Sequence, residues 1–433
     1  MDVQATGENS GDLSTTSSNA EGSTPVPVLF SSPSECCGCG ACAAACPVQA
    51  ISFFEDEFGY RYPRIDESVC IRCGRCKQVC GYQRAFVSES NGNTYAAATT
   101  EPEINQSASG GIFGALARAM LTQGGVVAGC KYENCDGLLY ACHQVIDDAS
   151  ELPALLGSKY VQSETGDVYP RIRKILVDGG DVLFSGTPCQ IAGLRGYLGE
   201  KLWNSEHLLT IDLVCHGVPN QEMLRGYLSE IQEDYPRDAY VIDAQFRPKN
   251  DGWEDSRQLK LVFSDASTKS IRSDNSSYYD AFFNLKTIRE SCYSCPFAGR
   301  QRPADLTMGD FWGIEKQCPE LLEDAGGPFS LFSGVSCLLV NSECGMKWLE
   351  KLGSNLTLRE VEFGAIAAHN EQLKAPAKRP KDRDSWLEAF AQGGWPEVER
   401  LWRKDKRKQA LRRRAAKLIP GPAKRAIKAV IGR

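Results

Sequence analysis

Two runs of four cysteines, 34 residues apart, constrain this chain more than any other feature. The first is Cys36-x2-Cys39-x2-Cys42-x3-Cys46, closed by Pro47. The second is Cys70-x2-Cys73-x2-Cys76-x3-Cys80, closed by Gly81 where a proline would stand. Three thiolates presented from so tight a loop take three irons of a [4Fe–4S] cluster, and the fourth cysteine reaches across to the other cluster. The spacing therefore assigns Cys36, Cys39, Cys42 and Cys80 to one cluster, and Cys46, Cys70, Cys73 and Cys76 to a second. Zinc also uses Cys-x2-Cys pairs, but structural zinc sites rarely pack four sulfurs into eleven residues. Cys37, beside Cys36, reads as a bystander. A duplicated module of this kind exists to pass single electrons.

At 433 residues the chain is long enough for two or three domains with real cores. It contains no run of 18 apolar residues, so no membrane-spanning helix is expected. The first 30 residues are rich in Ser, Thr, Gly and Asn, lack the basic-then-apolar order of a secretory signal, and read as a disordered tail. Nineteen cysteines without such a signal point to a reducing cytoplasm, where thiolates serve metal and redox work rather than disulfides. The net charge of −6 is unevenly spread. Residues 400–433 hold fourteen Lys/Arg and one acid, a net +13, which leaves −19 for the rest. With Leu411, Ala415 and Leu418 between the arginines, and Pro420 as a break, this end resembles one basic amphipathic helix followed by a shorter one. Peripheral contact with an anionic membrane face is one reading; nucleic acid is a weaker one, and a solvated end is the plain alternative.

From Thr94 the pattern becomes βαβ-like. Tyr95-Ala96-Ala97-Ala98 reads as a strand. Ser109-Gly110-Gly111 then opens a helix carrying Ile112, Phe113, Leu116 and Met120 on one face, and a strand follows Gly124-Gly125. A helix that begins at Ser-Gly-Gly offers free backbone amides to a phosphate, although the glycines alone explain a tight turn. Val182-Leu183-Phe184 reads as a buried strand running into Ser185-Gly186-Thr187-Pro188-Cys189-Gln190, so Cys189 falls at a helix start, where the dipole lowers a thiol pKa. A strand over 208–214 ends at Cys215-His216-Gly217. Ligands of open α/β sheets bind at such strand ends. Cys292-x2-Cys295 lies in a polar loop. Cys189, Cys215, Cys292 and Cys295 thus form a four-thiolate set; a third metal site, a redox disulfide and inert buried thiols all remain open at this point.

Ser185-Gly186-Thr187-Pro188-Cys189-Gln190, Val214-Cys215-His216-Gly217-Val218-Pro219 and Gly309-Asp310-Phe311-Trp312-Gly313 resemble the coenzyme F-420 hydrogenase/dehydrogenase beta-subunit family. So do Gly157-Ser158-Lys159-Tyr160-Val161-Gln162-Ser163 and Arg247-Pro248-Lys249-x2-Gly252-Trp253. The resemblance spans residues 94–344, with a ferredoxin domain in front. It implies an FAD-containing iron–sulfur oxidoreductase, a third [4Fe–4S] cluster on Cys189, Cys215, Cys292 and Cys295, and FAD contacts at Ser109, Gly110, Gly111, Ser158, Lys159 and Tyr160. Lys159 would supply positive charge to a pyrophosphate or to the reduced flavin. Archaeal members exchange a hydride with the deazaflavin coenzyme F-420; many bacterial relatives resemble proteins found with polysaccharide-assembly functions. The expected partner is a redox protein or a small electron carrier.

The expected fold is an α+β ferredoxin-like 2[4Fe–4S] domain (31–85), then an α/β mixed-sheet flavin and iron–sulfur domain in two parts (92–165 and 166–345). A helical extension (346–398) and a basic amphipathic tail (399–433) complete it. Cys130, Cys135, Cys142, His143, Cys318, Cys337 and Cys344 are read as buried side chains, His216 as a structural histidine, and His207 and His369 as uninformative.

Overall fold

The computed structural model describes residues 25–418 apart from 88–91, 101, 136, 234, 236–238, 250–251 and 254–256. Most of the expected disordered tail, and the basic segment beyond Leu418, lie outside these residues. Pro27 and Leu29 already line cysteine cavities, and Phe30 packs on Tyr62 with ring centroids 5.3 Å apart. The folded N-terminal unit therefore begins before residue 31, because Phe30 and the apolar residues just ahead of it have area to bury.

In chain order the described strands are β1 (Ile51–Glu55), β2 (Arg61–Ile65), β3 (Asn93–Thr99), β4 (Val126–Cys135), β5 (Leu138–Ile146), β6 (Val182–Gly186), β7 (Leu208–Leu213), β8 (Val241–Phe246), β9 (Gln258–Phe263), β10 (Thr268–Arg272), β11 (Leu306–Asp310), β12 (Ser336–Val340) and β13 (Leu356–Glu360). β1 and β2 form an antiparallel ribbon with Ile51 opposite Ile65. The body is a mixed eight-stranded sheet in the order β13-β3-β12-β11-β7-β6-β4-β5. Its centre, β4-β6-β7-β11, is parallel, and antiparallel strands flank it on both sides.

A parallel centre has to be covered on both faces, and β6 in its middle shows this most clearly. Val182, Leu183 and Phe184 of β6 are each fully buried. Leu183 joins Leu116 and Met120 of the helix Ile112–Thr122 on one face. Val182 and Phe184 join Ile172 of Val168–Val177 and Ile191 and Leu194 of Pro188–Trp203 on the other. A second sheet, β8-β9-β10, alternates buried Leu259, Leu261 and Phe263 with half-buried residues. It packs on the helix Gln221–Glu233 together with Trp386 and Trp395.

The expected helical extension over 346–398 is corrected in part. A helix does run over Glu343–Lys351, but Leu356–Glu360 then forms β13, paired antiparallel with β3. Leu356-Thr357-Leu358 alternates at the strand period, and the free edge of β3 supplies the ladder that this segment lacks alone. The expected boundary at 398/399 also falls inside one element, Arg383–Leu418, kinked at Gly393 and Gly394. Trp395 and Val398 are buried, and Trp402 Nε1 donates to Asp280 Oδ2 at 3.2 Å, so the root of the basic segment is anchored in the core. Among the described residues no helix is long and apolar enough to cross a membrane.

Candidate functional site

Each cysteine run turns through a left-handed glycine, Gly40 or Gly74 at equivalent positions, into a single helical turn (Ala41–Ala44 and Arg75–Gln78). Glycine takes that conformation without a Cβ clash. The turns aim the sulfurs inward. Cys36, Cys39, Cys42 and Cys80 line one cavity; Cys46, Cys70, Cys73 and Cys76 line a second, and Cys76 touches both. The last cysteine of each run thus lies against the other run's loop. Burial, then the proximity of Cys39, Cys36 and Cys80, pushes the Cys42 thiol well up. Cys76 is raised by burial, with Cys73 and Cys46 beside it.

The second set is assembled from three elements. Cys189 lies in the first turn of Pro188–Trp203. Gln190 Oε1 fixes that start by accepting from the Thr187 backbone N–H and hydroxyl, each at 3.0 Å. Cys215 follows the end of β7, and Cys292 and Cys295 come from the turn Glu290–Ser294 and the residue after it. All four line one cavity with Cys37, Tyr82, Arg289 and Arg302. Burial, then Cys292, Cys189 and Cys295, raises the Cys215 thiol. Burial, then Cys189 beside both, pushes Cys292 up to about 12 and Cys295 up to about 11. Cys189 goes the other way: a hydrogen bond from the Cys37 thiol, helped by the Thr187 hydroxyl 3.2 Å away, holds it down to about 7. The helix N-terminus, the cause expected from sequence, is secondary to that thiol. Among the described residues no three His, Cys, Asp or Glu side chains are grouped so as to hold a metal ion. The convergence is of thiols around cavities rather than of ligands around a point.

The two cysteine regions meet through bare backbone. A Cβ on Gly81 would lie 2.0 Å from the Ala192 carbonyl oxygen, and one on Gly196 would lie 2.2 Å from that of Val79. Absent side chains let the N-terminal unit press directly on the helix that begins with Cys189. Buried Arg289 donates from Nε to Cys36 O at 2.9 Å, Gln162 Nε2 to Cys37 O at 2.8 Å, and Thr165 Oγ1 to Cys39 O at 3.0 Å. Tyr82 OH donates to Ser291 O at 2.8 Å. Three backbone carbonyls of the first cysteine loop are therefore held by side chains of the body.

Beyond the second set lies a cavity of about 510 Å³, within the usual range for cofactor sites. Ser109, Gly111, Ser158, Lys159 and Tyr160 line it; Gly110 does not. Gly110 instead packs behind the wall: its N–H donates to Ser336 Oγ at 2.9 Å, and a Cβ there would meet the Ala97 carbonyl at 2.3 Å. Lys159 spends its ammonium on the carbonyls of Ala154 (2.9 Å) and Leu156 (2.6 Å). Burial pushes its pKa down. Tyr160 stacks on Phe282 at 4.7 Å. The fixed charge in this wall comes from two strings that carry the family resemblance in the sequence but have no assigned role there. Buried Arg247 pairs with Asp310, which also accepts from Trp253 Nε1 at 2.7 Å, and the guanidinium lies 4.5 Å from the Trp312 ring centroid. Lys249 Nζ ties Ser109 O (2.7 Å) to Ser333 O (2.6 Å).

Cys130, His143, His216 and His369, set aside in the sequence, all line this cavity. The alternation of β4 and β5 places Cys130 opposite His143 in register, a relation that needs the pairing to be known. The Ser185 carbonyl can only accept, so His143 carries its proton on Nε2 (3.1 Å) and takes the Ser163 hydroxyl on Nδ1 (3.1 Å). Burial, opposed by the Ser185 contact, holds its pKa down to about 4. The unfolded chain then binds a proton below about 6.5 that the folded chain refuses until about 4. This contribution is complete above the ordinary histidine pKa and is lost as pH falls through that window, roughly 3 kcal/mol in all. The urea midpoint should therefore fall less between pH 7 and pH 4.5 for His143→Gln than for the natural chain. Parallel falls would show that His143 protonates freely in the fold.

Residues 179–363 match the family described as the C-terminal region of the coenzyme F420 hydrogenase/dehydrogenase beta chain. Residues 35–83 match the 4Fe-4S dicluster domain. No curated protein gives a significant match. Thirteen chains of solved structures match. One, from the xenon-derivatised F420-reducing [NiFe] hydrogenase complex of Methanosarcina barkeri, is 14% identical. That match covers 70% of this chain and 93% of the other, with a TM-score of 0.43.

Proposed function

Because this chain is a member of the F420 hydrogenase/dehydrogenase beta-subunit-like family with an N-terminal 4Fe-4S domain, we propose that it is an iron–sulfur flavoprotein oxidoreductase moving electrons between its ferredoxin-type module, FAD and a further carrier. The observation that carries this reading is a succession of cavities with shared walls. The cavity of Cys46, Cys70, Cys73 and Cys76 meets that of Cys36, Cys39, Cys42 and Cys80 at Cys76. The latter meets the cavity of Cys189, Cys215, Cys292 and Cys295 at Cys37 and Tyr82. That one meets the large cavity at Thr187, Cys215, His216 and Gln372.

When bound, four-iron clusters supply single-electron steps and a flavin stores two electrons. Cys36, Cys39, Cys42 and Cys80 would hold one cluster, Cys46, Cys70, Cys73 and Cys76 the second, and Cys189, Cys215, Cys292 and Cys295 a third. These thiols fit that role because each set lines one common cavity, and at Cys42 and Cys215 burial disfavours a bare thiolate, a cost that a metal would relieve. Gly111, Ser158, Tyr160 and Trp312 would border the flavin, and Arg247, neutralised by Asp310, would orient it without adding net charge. A deazaflavin is the acceptor class that the family description suggests. The direct test is iron and flavin content after anaerobic reconstitution. About twelve irons and one FAD per chain are expected for three four-iron clusters. About eight irons and no flavin would instead leave an electron-transfer adaptor or an assembly factor.

A further inference from the structure

We infer that the rim of the outer cysteine cavity, that of Cys46, Cys70, Cys73 and Cys76, is the docking surface for a small acidic one-electron carrier protein. The inference rests on the oxidoreductase reading and adds the partner that reading leaves open.

Position is the first argument. In the succession of cavities this one lies at the end opposite the large cavity, and of the nineteen cysteines Cys73 alone is exposed. A carrier protein that must come close to a buried redox group has its shortest approach there.

Surface chemistry is the second. Ten large apolar side chains are exposed among the described residues, and three of them belong to this rim: Ile71 at 60%, Val69 at 45% and, beside the lining residue Pro27, Val28 at 64%. Apolar contact gives a transient complex its short-range adhesion. The stretch 69–84 holds four basic residues (Arg72, Arg75, Lys77 and Arg84) and no acidic one. Arg75 and Lys77 are exposed, and among the described residues neither they nor Arg72 is ion-paired. Asp66, just ahead of this stretch, accepts from Ser68 N (3.0 Å) and Oγ (2.6 Å) and keeps its charge, so Asp66 and Glu67 are two acids set beside the four bases of the patch.

Charge context decides the sign of the partner. Residues 1–399 carry −19 and residues 400–433 carry +13, so an acidic carrier is repelled by most of this body and drawn to its basic parts, of which the rim lies at a cysteine cavity. That arrangement steers orientation as well as encounter.

The test uses the full reconstituted chain, with bleaching of the iron–sulfur absorbance followed by stopped flow. The donors are a reduced plant-type [2Fe–2S] ferredoxin and, separately, reduced methyl viologen. For Arg75→Gln/Lys77→Gln and for Ile71→Ser, the rate with the ferredoxin should fall by about tenfold at low salt, and in the charge variant most of its salt dependence should vanish. The viologen rate should stay within about twofold, because a small dye needs no docking surface. Unchanged ferredoxin rates, or equal falls with both donors, would overturn the docking surface. A natural chain with no iron–sulfur absorbance would fail the oxidoreductase reading itself.

Discussion

Cys295→Ala is expected to take about four irons from the reconstituted chain, from about twelve to about eight, while the ferredoxin-type module keeps its own. Cys295 shares its cavity with Cys189, Cys215 and Cys292, and none of the eight N-terminal ligand candidates lines it. Electron paramagnetic resonance of the reduced protein should lose one set of signals and retain the coupled pair from the N-terminal clusters. Reduction by viologen should still bleach the remaining clusters, whereas flavin reduction should slow by orders of magnitude, since this cavity joins the inner cysteine cavity of the N-terminal module, at Cys37 and Tyr82, to the large cavity, at Cys215 and His216. Iron content that stays at about twelve would remove Cys295 from the ligand set. Content that falls to about four would mean that the N-terminal unit depends on this loop for folding, and circular dichroism would separate that case.

Arg302→Met should destabilise the body by about 3–5 kcal/mol, because it strands Asp212 as an unpaired buried charge. Both side chains are almost fully buried, at 1% and 0% exposure. Arg302 contacts Asp212 Oδ1 from Nε (3.3 Å) and from one terminal nitrogen (3.1 Å), and also donates to Leu213 O at 2.6 Å and to Phe297 O. It therefore clamps the end of β7, just before Cys215, to the loop just after Cys295. A lowered urea midpoint should come with loss of the same iron that Cys295→Ala removes. Adding Asp212→Leu should recover much of the stability, since an apolar pair tolerates burial where a lone carboxylate does not, but it should not restore the iron. A single variant within about 1 kcal/mol of the natural chain would show that water or another group solvates Asp212.

Parts of this protein are legible in the chain alone because their signals are local. Four cysteines within eleven residues, twice over, identify a 4Fe-4S domain through chain geometry that no distant contact has to supply. The strings around Cys189, Cys215 and Asp310 lie within the family match over residues 179–363 and are legible for the same reason: each is a short turn at a strand end with its residues in fixed order. The failures are equally physical. Residues 356–360 look helical beside their neighbours until the edge of β3 offers them a ladder. Gly110 looks like a ligand-facing turn until Ala97 and Ser336 are seen to press on it.

What only the tertiary structure decides is adjacency between distant segments. Cys37 reads as a bystander in sequence, yet its thiol shares a cavity with Cys189 and is the leading cause that lowers that residue's pKa. Cys130 and His143 become cavity walls through the register of β4 and β5. The close approach of Gly81 and Gly196 to the opposing backbone brings the end of the second cysteine run against the helix of Cys189. The spacing of cysteines along the chain determined what each loop can hold, because a few rotations fix a short loop. The order in which those sites touch was left to the packing of the whole molecule, because it depends on which surfaces lack side chains where they meet.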